Sequence, residues 1–106
     1  MSISPWYVGM TGQSFTIYCR TTTGDPLPQL VTATANALTL LIKPSVGSEF
    51  AGGGLFQIVN ADQGIVQYQP ANSDVNTAGT FEIAVKVQTT NGPIYSAQTQ
   101  WIISTR

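Results

Sequence analysis

The sequence predicts an all-β domain, a sandwich or barrel of short antiparallel strands. Three observations predict it. Apolar residues recur with period two rather than 3.6. Six such runs are set apart by clusters of Gly, Pro, Asn and Asp at regular spacing. The chain has 106 residues, 42% of them apolar, which suits one domain around one core.

In chain order, the first run is Gln13–Arg20, where Phe15, Ile17 and Cys19 share a face against Ser14, Thr16, Tyr18 and Arg20. Alternate strand side chains point to opposite sides of a sheet, so the first set faces the core. Thr23-Gly24-Asp25-Pro26 follows as a turn. In Ala37–Lys43, Leu38, Leu40 and Ile42 share a face. Leucine also suits a helix, but the run is short and ends at Lys43-Pro44, and a residue before proline prefers extended backbone. Leu55–Val59 and Ile65–Gln69 are two short strands, the second with Val66 and Tyr68 together. Asn60–Gly64 joins them, with Gly64 free to take positive φ. Thr80–Gln88 alternates most clearly, Phe81, Ile83, Val85 and Val87 forming its inner face. Asn91-Gly92, a strong hairpin signal, joins it to Ile94–Ser104. That last run has Tyr95, Ala97, Thr99, Trp101 and Ile103 on one side, and Trp101 belongs to the core.

The segment from Pro44 to Gly54 is irregular. Gly52-Gly53-Gly54 reads as a mobile surface loop that does not pack. A phosphate loop would need a following Lys and a helix, and Leu55-Phe56-Gln57 supplies neither.

Charge is the unusual quantity. Asp, Glu, Lys and Arg make up only 8% of the chain, against about 25% in ordinary domains. Thr, Gln, Ser, Asn and Gly must cover the surface. Interface cores are depleted of charge in the same way, so the deficit fits a subunit of an assembly. It fits equally a neutral soluble domain. The four basic residues form no cluster, so no nucleic-acid footprint is expected. No apolar run is long enough for a membrane helix. Residues 1–6 lack the regions of a signal peptide, and Cys19 stands alone, so synthesis in a cytoplasm is expected.

Catalytic chemistry has little to draw on. The chain has no histidine, the commonest general base and metal ligand. Cys19 reads as a small buried hydrophobe, with Arg20 directed to the opposite face. The carboxylates Asp25, Glu49, Asp62, Asp74 and Glu82 lie on separate turns and one outer strand face. Paired-carboxylate hydrolysis would need two facing each other across a cleft. Asp25, Asp62 and Asp74 sit where Asp shapes turns, and no loop has calcium-ligand spacing. No catalytic residue, metal or cofactor is expected. For partner binding the candidates are Trp6, Tyr7 and the Gly52, Gly53, Gly54 loop. Two readings of Trp6 and Tyr7 stand side by side: exposed anchors for a partner, or a cover for the domain's own core.

The second half carries a resemblance. Asn60-Ala61-Asp62-Gln63-Gly64-Ile65-Val66-Gln67-Tyr68 is followed by Asp74-Val75-Asn76-Thr77-Ala78-Gly79-Thr80-Phe81, the alternating strand, Thr90-Asn91-Gly92-Pro93 and a closing strand ending in Trp101-Ile102-Ile103. This resembles the immunoglobulin-like N-terminal domain of tailed-phage baseplate upper proteins, over roughly residues 13 to 104. Phe81 stands where immunoglobulin-like domains often place the Tyr of a tyrosine corner, so the corner here would rest on packing. The resemblance implies an immunoglobulin-like antiparallel β-sandwich of about seven strands over residues 13–106, after an N-terminal arm at 1–12. It implies a non-enzymatic virion structural protein of a tail, baseplate, neck or capsid surface, made in the host bacterial cytoplasm. Its partners would be other virion proteins, in a symmetric homo-oligomer or multi-copy assembly, with no nucleic acid and no membrane. The alternative is a host-surface carbohydrate-binding module of a phage particle, using Trp6, Tyr7 or the glycine loop.

Overall fold

The computed structural model describes residues 2–3, 6–31 and 33–105. Among these residues nine strands form two sheets: β1 (Ser2–Ile3), β2 (Phe15–Tyr18), β3 (Leu38–Pro44), β4 (Phe50–Ala51), β5 (Leu55–Asn60), β6 (Ile65–Gln69), β7 (Gly79–Thr89), β8 (Gly92–Tyr95) and β9 (Thr99–Ile103). The larger sheet runs β1-β9-β7-β3-β4, with β8 also on β7, and the smaller runs β2-β6-β5. All pairings are antiparallel except β1 on β9. The protein is an all-β antiparallel sandwich, as the sequence predicts. Its strand order matches B-E-D packed on G-F-C-C′ of immunoglobulin-like sandwiches, with β8 and β9 together in the place of G.

Why these residues form these strands follows from their pairing. The leucine-rich β3 lies along the full inner half of β7, with Leu38, Leu40 and Ile42 opposite Val87, Val85 and Ile83. Rows of branched side chains favour the strand over the helix that leucine alone would allow. Gly64 ends the turn after β5 at φ 71°, where a Cβ would press on the Cys19 carbonyl. The Asn60 side chain caps that turn by accepting from the Gln63 N–H.

The inner faces read from the sequence are the ones buried: Phe15, Ile17 and Cys19; Val66 and Tyr68; Phe81, Ile83, Val85 and Val87; Trp101 and Ile103. An aromatic cluster joins the sheets. The Phe15 ring lies 5.2 Å from Trp6, 4.8 Å from Trp101 and 5.7 Å from Tyr68. Among the described residues the Trp101 indole N–H finds no hydrogen-bond partner. The apolar body of the ring outweighs that cost of about 1–3 kcal/mol.

Two sequence expectations need correction. The run Ile94–Ser104 is not one alternating strand. Lys86 pairs with Tyr95, but Ile83 pairs with Thr99, so three residues (96–98) oppose two (84–85). This one-residue bulge moves the inward face from even to odd positions. Tyr95 is therefore 53% exposed rather than level with Trp101, while Ile94 packs on the core. Ser96 repairs the ladder: its N–H donates to the Val85 carbonyl, and its Oγ accepts from the Val85 N–H at 2.9 Å.

The second correction concerns the N-terminal arm expected at 1–12. Residues 1, 4 and 5 of it lie outside the described residues. The rest is woven into the sandwich: β1 pairs with Gln100 and Trp101, and Ser104 donates its N–H to the Trp6 carbonyl.

Candidate functional site

The sequence-predicted partner residues fall in three different environments. Trp6 is 4% exposed, edge-on to Phe15 and Trp101, with its indole N–H donated to the Met10 carbonyl at 3.1 Å. It covers the domain's own core and presents no platform. Tyr7 is exposed and bridges to Ser104. Gly52, Gly53 and Gly54 are not a slack loop. They cross from β4 in one sheet to β5 in the other, and each backbone N–H is held: Gly52 by the Leu40 carbonyl at 2.7 Å, Gly53 by Asp74 Oδ1 at 3.0 Å, Gly54 by Tyr68 Oη at 2.8 Å.

Tyr68 and Asp74 are the centre of that arrangement. The Tyr68 hydroxyl donates to Asp74 Oδ2 at 2.5 Å, and the Ala71 N–H donates to the same oxygen at 3.0 Å. Both side chains are buried. Burial and the bond to Asp74 raise the phenol well above its ordinary range, against a smaller opposing pull from the Gly54 N–H. Two of the three glycines are required by close approach: a Cβ on Gly52 or Gly54 would overlap the Tyr68 ring or hydroxyl, whereas one on Gly53 would make ordinary contacts. The Tyr68–Asp74 pair ties the two sheets where the chain crosses from β4 to β5. Sequence reasoning put Tyr68 inside and Asp74 in a turn, and missed that they meet. One signal was available: a buried Tyr hydroxyl needs a partner.

The remaining titratable groups do not converge. Among the described residues no three of His, Cys, Asp and Glu come together. Burial pushes the Cys19 thiol up to about 12, with Arg20 acting weakly the other way, so it stays protonated at neutral pH. Asp62 lies on the exposed turn that Asn60 caps. No helix among the described residues is long and apolar enough to cross a membrane.

What the surface does offer is an asymmetry of charge. The outer face of the large sheet carries Lys43 opposite Glu82, and Lys86 opposite Thr39. The strands of the small sheet carry no charged residue, and Arg20, just past β2, is the charge at the margin of its outer face. Thr16, Gln67 and Gln57 form one row across it, and Gln69 and Leu55 another. Tyr18 and Leu55 are 42% and 75% exposed there. Beside this face, between β2 and residues 97–99, lies a groove of about 420 Å³. Arg20 sits at its end, stacked 5.3 Å from the Tyr18 ring centroid and donating to the Gln63 carbonyl. No protein-family model matches the chain, and no curated protein matches it. Fold and site together define an all-β sandwich with a buried Tyr68–Asp74 pair between its sheets and a small sheet whose strands carry no charged residue.

Proposed function

We propose that the chain is a non-enzymatic structural component of a bacteriophage particle, placed in a tail, baseplate, neck or capsid surface and acting through protein–protein contacts. The observation that carries this reading is the uncharged outer face of β2, β6 and β5. A face of Gln, Thr, Tyr and Leu repels no neighbour by charge and shares the charge depletion of a buried contact. The sequence resemblance over residues 13–104 supplies the phage context. The non-enzymatic part rests on the chain's lack of histidine, the separation of its carboxylates and the use of Asp74 in the pair with Tyr68. The carbohydrate-binding alternative keeps only the exposed Tyr7 of its intended surface, because Trp6 is in the core and the Gly52–Gly54 N–H groups are taken.

The test is quantitative mass spectrometry of particles purified through a density gradient and a high-salt wash. The chain is expected at a fixed ratio to the major virion proteins. Its recovery only in the soluble fraction of the lysate would overturn the proposal.

A further inference from the structure

The strand edges of the two sheets are unequally protected. In the large sheet the outer strands β1 and β4 have two residues each, and β8 contains Pro93. In the small sheet β5 breaks register between Ile58 and Asn60. Short edges, prolines and bulges are the devices by which sheets avoid pairing with another chain. β2, four residues long, has neither a proline nor a break in register. Its register with β6 is regular over all four residues, and residues 7–19 contain no charged side chain. Among the described residues no strand occupies the place beside β2 that strand A takes in immunoglobulin-like domains.

The ladder fixes which backbone groups are open. The Cys19 N–H donates to the Gly64 carbonyl at 2.7 Å, so the pairs Ile17–Val66 and Phe15–Tyr68 are the hydrogen-bonded ones. Thr16 and Tyr18 therefore turn both N–H and C=O away from β6, toward the groove. Its far end is closed, since the Arg20 carbonyl accepts from the Ala97 N–H at 2.7 Å. The open length is Ser14 to Tyr18.

We propose that this edge pairs antiparallel with the same edge of a second copy of the chain, about a two-fold axis at Thr16. The inference deepens the reading of the protein as an assembly subunit and rests on it. Antiparallel pairing of two identical strands is two-fold by construction. In this register Thr16 faces Thr16, a favourable cross-strand pair, and Tyr18 faces Ser14. No like charges oppose each other in this pairing: no charged side chain lies in the paired stretch, and the two Arg20 residues fall beyond its opposite ends. The small sheets would merge into one sheet ordered β5-β6-β2-β2-β6-β5. So short a contact is smaller than a stable free dimer needs. It is populated at high concentration, as among the many copies of an assembly.

Sedimentation equilibrium and amide hydrogen exchange on the whole chain, from about 10 μM to about 1 mM, test this. The mass is expected to rise toward that of a dimer, and exchange at the Thr16 and Tyr18 amides to slow by about tenfold or more. Thr16→Pro removes an edge donor and leaves the β6 ladder whole, and it is expected to stay monomeric. Thr16→Lys sets like charges face to face and gives the same readout should the proline variant not fold. A chain monomeric throughout, a dimer that survives either folded variant, or a dimer without protection at Thr16 would each overturn the edge pairing. Monomers at 1 mM from a chain found in particles sink this inference alone; dimers from a chain absent from particles sink the assembly reading alone.

Discussion

Tyr68 and Asp74 form the costliest polar arrangement in the molecule, and each oxygen in it has a named donor. Removing one partner exposes the asymmetry of buried hydrogen bonds, since the group left behind keeps its desolvation cost. Tyr68→Phe leaves the Gly54 N–H without its acceptor and Asp74 without its hydroxyl donor. Urea unfolding is expected to show a loss of about 1.5–3 kcal/mol, the range for a bond to a charged group. The same residue enters a pH dependence with Cys19. Folding raises both pKa values, from ordinary values of 9.0 for the thiol and 10.0 for the phenol. The folded chain therefore keeps protons that the unfolded chain releases. Stability is whole below about pH 9 and falls as pH rises, by about 1.4 kcal/mol per pH unit for each group above its ordinary pKa. The fall continues until the folded thiol itself ionises near 12. Urea midpoints measured between about pH 8 and pH 11 check the sign, and Cys19→Ala is expected to flatten the slope by the thiol's share.

At the scale of elements, the bulge between β8 and β9 decides what the last strand presents. Ser96 stands in for a backbone acceptor, so Ser96→Ala strands the buried Val85 N–H. A loss of about 1–3 kcal/mol is expected in chemical denaturation, with faster exchange at the Val85 amide. Such a bulge was not legible in the sequence. Ile94 to Ile103 alternates well enough in either phase, and the extra residue shows only once β7 supplies a register. Elements whose signal is local were legible: β6 has the bounds its alternation predicts, and the β7–β8 hairpin falls where Asn91-Gly92 signals one, although its loop is Thr90-Asn91 and Gly92, at φ 121°, already pairs with Thr89. The Gly52–Gly54 stretch was not, because glycine marks equally a slack loop and a tight crossing. Only the Tyr68 hydroxyl and the Asp74 carboxylate, distant in sequence, distinguish the two. The sequence leaves Trp6 open for a related reason: a terminal aromatic beside a core and one on a surface read alike until the partner rings of Phe15 and Trp101 are placed.

For the whole molecule, scarcity of charge becomes informative when it is distributed over two faces. Had the few charges been scattered evenly, composition alone would say little about contacts. Instead Lys43, Glu82 and Lys86 lie on the outer face of the large sheet, and the central row of the small sheet is Thr16, Gln67 and Gln57. A charge placed on each face in turn separates folding from assembly. Gln67→Lys and Gln88→Lys are both substitutions of outward strand residues, and both are expected to shift stability by less than about 0.5 kcal/mol. Their consequences for contacts differ. Lys at 67 would have to be desolvated without a partner if the neutral face docks, at a cost of several kcal/mol, enough to prevent incorporation. Lys at 88 joins a face that already carries Lys86 and leaves incorporation intact. Competition between wild-type and variant chains, followed by counting each in purified particles, reads this directly. Exclusion of the Gln67 variant alone supports docking through the small sheet, and equal incorporation of both variants moves the contact to another surface.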